Sequence, residues 1–285
     1  LVQNGYDVVG VITATDKMGG RGNKKVIESA VKKYAVDKEI PLFQPKNLKN
    51  QEFVEALKAL KADLQVVVAF RMLPEVVWDM PTIGTINLHG SLLPKYRGAA
   101  PIHWAVINGE KETGVTTFFI QHEIDTGDVL LRAAMDIGDS ETTGEVHDRM
   151  MQLGAQVVLK SVQTIEKGNY QLLPQDHQLA SKAPKLFRET CEINFDQSTH
   201  QVFNFIRGLS PYPTAWTTFE GLEMKIYQAQ MEKVQHQLQA GEWISDYKKY
   251  LKFATADGFI EVRELKIQGK RKMKIKDFLN GFHPK

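Results

Sequence analysis

Two short stretches of this chain carry side chains that could move a proton and hold an oxyanion. Asn87 and His89 lie two residues apart in the run Asn87-Leu88-His89-Gly90-Ser91. Along an extended strand that spacing puts both on one face. An amide donor and an imidazole aimed together can stabilise developing negative charge and transfer a proton. Ordinary strand-end hydrogen bonding produces the same N-x-H pattern, so the pair alone does not single out chemistry. The second stretch, Asp125-Thr126-Gly127-Asp128, has residue types that suit a turn. A carboxylate from it that reached His89 would fix the ring and favour its charged form. The spacing alone gives no distance between them. His103, His122, His147 and His177 show no metal-ligand spacing with carboxylates or with Cys191, so no metal site is read. The run from Gly19 to Lys25 matches neither G-x-G-x-x-G nor a phosphate loop ending in Lys-Ser/Thr. It reads as a loop presenting Arg21, Lys24 and Lys25 to a phosphate backbone, or as a plain surface loop.

The elements that must position these groups follow from hydrophobic periodicity. Tyr6–Thr13, Pro41–Gln44, Leu64–Phe70, Gly84–Leu88, Gly114–Ile120 and Val129–Met135 read as strands. Lys24–Tyr34, Gln51–Leu60, Pro74–Met80, Ala100–Ile107 and Thr142–Gly168 read as helices, the last closed by glycine. This βαβ rhythm implies an α/β fold, an open, doubly wound and mostly parallel sheet. In such sheets ligands bind beyond the carboxyl ends of the strands, which is where Asn87 and His89 fall. Beyond Tyr170 the pattern changes. Residues 171–184 contain two prolines and few apolar side chains and read as a linker. Thr199–Ile206 reads as a helix. Ala215–Phe219, Leu222–Tyr227, Leu251–Thr255 and Phe259–Lys266 read as short strands of a small β-barrel or sandwich. The expected organisation is therefore 1–170, a linker at 171–184, and a C-terminal β-barrel domain at 185–285.

Composition bounds the function classes. With 285 residues, 42% hydrophobic and 25% charged, the chain is globular rather than disordered or collagen-like. One cysteine, Cys191, excludes an internal disulfide and favours a reducing compartment. No apolar run approaches the roughly 20 residues that span a bilayer, so no membrane partner is expected. Charge is uneven: residues 1–185 hold 21 Lys/Arg against 22 Asp/Glu, and residues 186–285 hold 15 against 12. The stretch Lys266–Lys285 has seven basic residues and one acid, Asp277. A near-neutral front and a basic end fit a small-molecule enzyme joined to a module that touches a polyanion, or a lysine-rich solvated face.

Taken in order, the motifs converge on a family. The string from Asn87 to Ile102, then Thr113–Thr116 and Ile124–Asp128, resembles the 10-formyltetrahydrofolate-dependent formyltransferases. Within them it is most similar to the branch whose acceptor is initiator methionyl-tRNA. Supporting matches run through Asp16–Gly22, Val66–Pro74, Arg207–Trp216 and the basic C-terminal module. The resemblance implies a Rossmann-like core with an OB-like C-terminal barrel and Asn87, His89 and Asp125 as catalytic residues. It further implies 10-formyltetrahydrofolate as co-substrate, contacted by Ser91, Leu92, Leu93 and Pro94, with Phe70, Arg71, Met72 and Leu73 lining the pterin pocket. Arg21 would engage the tRNA acceptor end, Lys24 and Lys25 would bind tRNA as well, and Lys270, Arg271 and Lys272 would contact tRNA from the basic module. No metal is implied, and the protein is expected to act as a monomer in the bacterial cytoplasm. A sugar-nucleotide or glycinamide-ribonucleotide formyltransferase on the same core, and a non-catalytic RNA-binding relative, stay open. The resemblance also implies a strand, a glycine-containing loop and a helix ahead of Leu1–Gly10, so Leu1 is expected not to be the native start.

Overall fold

The computed structural model describes residues 1–19 and 25–282. After a 3-10 turn at Val2–Asn4 come β1 (Val11–Ile12), a hairpin of β2 (Lys17–Gly19) and β3 (Lys25–Ile27), α1 (Ala30–Asp37), β4 (Leu42–Phe43) and α2 (Gln51–Ala59). The expected helix over Lys24–Tyr34 starts later than its periodicity suggests. Ser29 caps α1 by accepting the Lys32 N–H at 3.1 Å, and the β-branched pair Val26 and Ile27 joins the hairpin instead. The strand expected over Tyr6–Thr13 is formed only at Val11–Ile12, where it pairs in parallel with β4.

The central layer comprises β5 (Leu64–Val68), α3 (Glu75–Trp78), β6 (Gly84–His89), β7 (Arg97–Gly98), α4 (Pro101–Ile107), β8 (Glu112–Phe119), β9 (Val129–Asp136) and α5 (Thr143–Glu166). Its four-stranded sheet has the order β5-β6-β8-β9. β5 and β6 are parallel, whereas β8 and β9 add antiparallel ladders. β6 is thus an interior strand, flanked on both sides by hydrogen bonds. Its side chains alternate: Ile86 packs with Leu130 and Ile165, and Leu88 with the cluster around Met150 and Val157, all on the α5 side. Thr85, Asn87 and His89 take the opposite face by the two-residue period, and the Thr85 hydroxyl bonds the Trp78 carbonyl of α3 there. α5 is set by a capping box, Thr142 with Glu145, and buries Val146, Met150, Val157, Val158, Val162 and Ile165 along one stripe.

Residues 171–184, linker-like in composition, lie against the central layer as a strap. Leu173 and Val129 exchange backbone hydrogen bonds of 2.8 and 2.9 Å, and β10 (Lys182–Ala183) pairs in parallel with β7. The C-terminal part holds α6 (Thr199–Gly208), β11 (Ala215–Phe219), β12 (Leu222–Lys233), β13 (Trp243–Ser245), β14 (Leu251–Ala254), β15 (Gly258–Ile267), β16 (Met273–Lys274) and α7 (Ile275–Leu279). Its sheet is antiparallel throughout, ordered β11-β12-β15-β14-β13 with β16 on β15. Phe219 of β11 and Trp243 of β13 come from opposite ends of that order, yet their rings lie 5.0 Å apart. The sheet therefore curls into a half-barrel around Phe219, Phe253, Ile260 and Leu265. α6 docks this unit onto the central layer: Arg207 Nη1 donates to the carbonyls of Glu141 (2.8 Å) and Gly138 (3.2 Å), and Thr143 Oγ1 donates to the Gly208 carbonyl at 2.7 Å. Among the described residues no helix is long and apolar enough to cross a membrane.

Candidate active site

The carboxyl end of β6 delivers His89 between the Tyr96 carbonyl and the Asp125 carboxylate. The residue is 6% exposed, and its Nε2 lies 2.8 Å from the Tyr96 carbonyl oxygen. A carbonyl only accepts, so Nε2 carries a proton. The other ring nitrogen, Nδ1, faces Asp125 Oδ2 at 3.7 Å. That gap is too long for a direct hydrogen bond and leaves the edge between imidazole and carboxylate open to a donor or a water. Asn87 is half-buried on the same strand face, and no protein group among the described residues bonds its carboxamide.

Asp125 is aimed by its backbone. Its φ of 56° is left-handed, a conformation that Asp tolerates better than most residues, and the sharp turn swings the carboxylate back toward the strand ends. Oδ2 accepts the Gly98 N–H at 2.8 Å. Gly127 lets this turn close on β8, because a Cβ there would stand 1.8 Å from the Phe119 carbonyl oxygen. A register shift between Thr117 and Phe118 on the β8–β9 ladder lies next to it, as bulges beside sites often do. Gly98 has φ 124° and would carry a Cβ 2.6 Å from the Ala183 carbonyl oxygen, so β7 and β10 can pair only with glycine there.

The segment after β6 is held from below. Ser91 Oγ donates to the Lys95 carbonyl at 2.6 Å, and Thr116 Oγ1 donates to the Ser91 carbonyl at 2.7 Å while accepting the Leu93 N–H at 3.1 Å. Ser91 and Leu93 are buried side chains; Leu92 and Pro94 are half-buried. On the β5 side, Phe70 and Leu73 pack on Leu48, Phe53, Leu57 and Val77, whereas Met72 is 74% exposed. The Arg71 guanidinium stacks 5.6 Å from the Phe70 ring and donates to the Pro45 and Lys46 carbonyls, stapling this wall to the chain before α2. A cavity of about 420 Å³ lies beside the Asp125 turn, between Trp78, residues 120–123 and Pro174–Gln175; it borders Thr126 and Asp128 but not Asn87 or His89. Tyr96 is buried, and burial together with the bond from its hydroxyl to Glu110 Oε1 (2.7 Å) pushes its phenol up to about 12. Among the described residues no group of three His, Cys, Asp or Glu side chains could hold a metal ion.

The basic residues are distributed unevenly. Arg21 and Lys24, and the Lys25 side chain, lie outside the described residues. Lys270 and Arg271 are exposed on the β15–β16 connection. Lys272 is engaged within the protein, 2.6 Å from Glu264 Oε2 and 4.6 Å over the Tyr227 ring. A row invisible to sequence spacing crosses the outer face of the half-barrel: Trp216, Lys225 and Lys266 are direct neighbours on β11, β12 and β15. Arg188 stacks on Trp216 at 4.8 Å. The two lysines oppose each other directly, and among the described residues neither has a carboxylate within ion-pair distance.

Comparison with known proteins bears on what such a site does. Residues 2–162 match the family described as "Formyl transferase", and residues 185–283 match "Formyl transferase, C-terminal domain". Methionyl-tRNA formyltransferase of Bacteroides fragilis is 49% identical over 292 residues, covering 99% of this chain and 90% of that protein. This chain belongs to the methionyl-tRNA formyltransferase family. Another family member, from Parabacteroides distasonis, is 50% identical over the same coverage. Among solved structures, HypX from Aquifex aeolicus in complex with tetrahydrofolic acid matches at TM-score 0.63 and 22% identity, over 87% of this chain and 44% of that one. WlaRD, a sugar 3N-formyl transferase, matches at TM-score 0.62 and 20% identity, over 86% and 83%. At such identity these two show a shared fold alone, the formyltransferase core with further C-terminal structure.

Several groups in this formyltransferase fold carry no sequence signature. The Tyr96 carbonyl and the Gly98 N–H are backbone atoms, and their residue types do not announce them. Gln175 sits in the linker-like stretch, where nothing in its spacing points to Asp125. The outward position of Lys225 is readable from the alternation in Leu222–Tyr227, but its pairing with Lys266 is a matter of register.

Proposed function

We propose that this protein transfers the formyl group of 10-formyltetrahydrofolate to the free α-amino group of initiator methionyl-tRNA, in the bacterial cytoplasm. The observation that carries the reading is the approach of Asp125 to His89 beyond β6, with Nδ1 and Oδ2 facing one another across 3.7 Å and Asn87 on the same strand face. The names of relatives 49–50% identical along nearly the whole chain support the same reaction.

In this reading the amine nitrogen attacks the formyl carbon, a C–N bond forms, and the carbonyl electrons move to oxygen. The Asn87 carboxamide donates to that oxyanion. Loss of one such donor costs about 2.7–4 kcal/mol of barrier. The amine proton passes to the open edge between His89 Nδ1 and Asp125, while the Tyr96 carbonyl keeps the ring from turning away. Because the Nε2–H is committed to Tyr96, any donation by the ring to the oxyanion comes from the Nδ1 side. Collapse re-forms the carbonyl, breaks the bond to N10 and returns a proton to that nitrogen. For the folate we assign Phe70, Leu73 and the exposed Met72 as one wall with Arg71 as its staple. Leu92 and Pro94 form the other, with Ser91 and Leu93 contributing backbone only. The tRNA is taken by Arg21, Lys24, Lys25, Lys270 and Arg271, and by the row Trp216–Lys225–Lys266; Lys272 serves mainly to shape that face.

Formylation of charged initiator tRNA with 10-formyltetrahydrofolate tests the reading. Asn87→Ala, His89→Ala and Asp125→Asn are each expected to slow turnover about 10²-fold or more with unfolding midpoints near wild type. Transfer to another amine with none to methionyl-tRNA would overturn the choice of acceptor. Normal turnover in any one variant would remove that residue from the mechanism.

A further inference from the structure

We infer that Gln175, on the strap between the two parts of the molecule, is a positioning residue for Asp125. It is 5% exposed and uses its whole hydrogen-bonding capacity. Its Nε2 donates to the Asp125 carbonyl at 3.0 Å and to the Gly127 carbonyl at 2.7 Å. Its Oε1 accepts from Arg97 Nη2 at 2.6 Å and Nε at 3.1 Å. Only this orientation of the amide works, since the reverse would set oxygen against two carbonyls and an amino group against a guanidinium.

The two carbonyls that Gln175 holds lie on either side of Thr126, so the clamp fixes the turn whose left-handed residue aims the carboxylate. The Asp125 carboxylate itself is held by the Gly98 N–H, and Gly98 belongs to β7. β7 is in turn fixed by the strap: Arg97 N donates to the Ser181 carbonyl at 2.8 Å, and Tyr96 N donates to Ser181 Oγ at 2.9 Å. One strap therefore braces the Tyr96 carbonyl that holds His89 and the turn that holds Asp125. Gln175 touches neither the ring nor the carboxylate; it acts on their separation. Buried amides that are fully bonded at four points specify one geometry, and a misplacement of about 1 Å at a reacting group can cost 10²-fold in rate.

This rests on the catalytic reading of His89 and Asp125, and the test separates the two. In the full chain, kcat for formylation is measured for Gln175→Leu, Asp125→Asn and the double variant. Gln175→Leu is expected to lower kcat 10- to 100-fold, an order-of-magnitude expectation from the cost of misplacement, with the KM for tRNA little changed. The double variant is expected to be no slower than Asp125→Asn, because a positioning residue has nothing left to position. A loss equal to the product of the single losses would overturn the inference, as would near-normal turnover of Gln175→Leu. Near-normal turnover of Asp125→Asn would instead overturn the catalytic reading. Gln175→Glu keeps an acceptor for Arg97 but loses both N–H donors, so the strap stays seated while the turn is released. Hydrogen exchange of its 120–128 segment is expected to rise with that of 143–166 unchanged. Unchanged protection at 120–128 would overturn the clamp without reference to activity.

Discussion

At the residue scale, His89 is fixed by what its two nitrogens face: a carbonyl on one side and a carboxylate on the other. The carbonyl belongs to Tyr96, whose own hydroxyl is held at a part-buried position by Glu110 and Asn108. Tyr96→Phe removes a bond to a charged acceptor and is expected to cost about 1.5–3 kcal/mol. Its pH dependence has a defined sign. The phenol holds its proton up to about 12 in the folded state, against 10.0 for the ordinary side chain. The unfolded chain therefore loses that proton first, and the hydroxyl's contribution, complete below pH 10, is lost as pH rises toward 12. The stability difference between wild type and Tyr96→Phe should shrink across that window in denaturant melts. A difference that stays constant to pH 12 would show that the buried bond is not what the hydroxyl contributes.

At the scale of elements, the site is made where strand ends, a tight turn and the strap meet. Gly127 lies at that junction, and its missing side chain is a steric requirement, since the Cβ of any replacement meets the Phe119 carbonyl. Gly127→Ala is expected to displace the turn and lower kcat far more than the KM for tRNA. Its unfolding midpoint should fall as well, because a backbone clash in a packed layer costs about 1–3 kcal/mol. Steady-state kinetics alongside thermal melts check both; a fully active variant would mean that the turn can shift without consequence. Elements also account for what was and was not legible. Asn87 and His89 share a face because strands alternate, which is local information. Gln175 bonds groups near residue 125, some fifty positions away, and its neighbours Pro174 and Asp176 read as linker composition, so nothing local marks it. The hairpin of β2 and β3 was hidden for a related reason. Val26, Ile27, Ala30, Val31 and Tyr34 fit helical spacing, and only pairing with Lys17–Gly19 splits that run at the Ser29 cap.

At the scale of the whole molecule, α6 ties the half-barrel to the central layer through Arg207, buried among carbonyls of the segment that precedes α5. This docking fixes where the basic face stands relative to the β6 end. On that face Lys225 and Lys266 oppose each other, an arrangement that is mildly unfavourable in the free protein and favourable once an anion lies between them. Lys225→Ala and Lys266→Ala are therefore expected to leave the unfolding midpoint unchanged or raised. Each should reduce the dependence of tRNA affinity on log salt by about one unit of slope. Binding measured across a salt series checks this; an unaltered slope would remove the row from the tRNA surface.

The sequence by itself determined the α/β class of the front, the strand-rich back, the pairing of Asn87 with His89 on one face and the turn around Asp125. These are local properties, set by a period of two, by helical periodicity with its caps, and by turn chemistry. The tertiary structure alone decided the 3.7 Å edge between His89 and Asp125, the commitment of Nε2 to Tyr96, and the register that sets Lys225 against Lys266. It also turned a linker-like stretch into the strap that braces the site. Such features depend on backbone hydrogen bonds and ladder register between distant segments. Those groups are the same in nearly every residue, so composition and spacing do not encode where they meet.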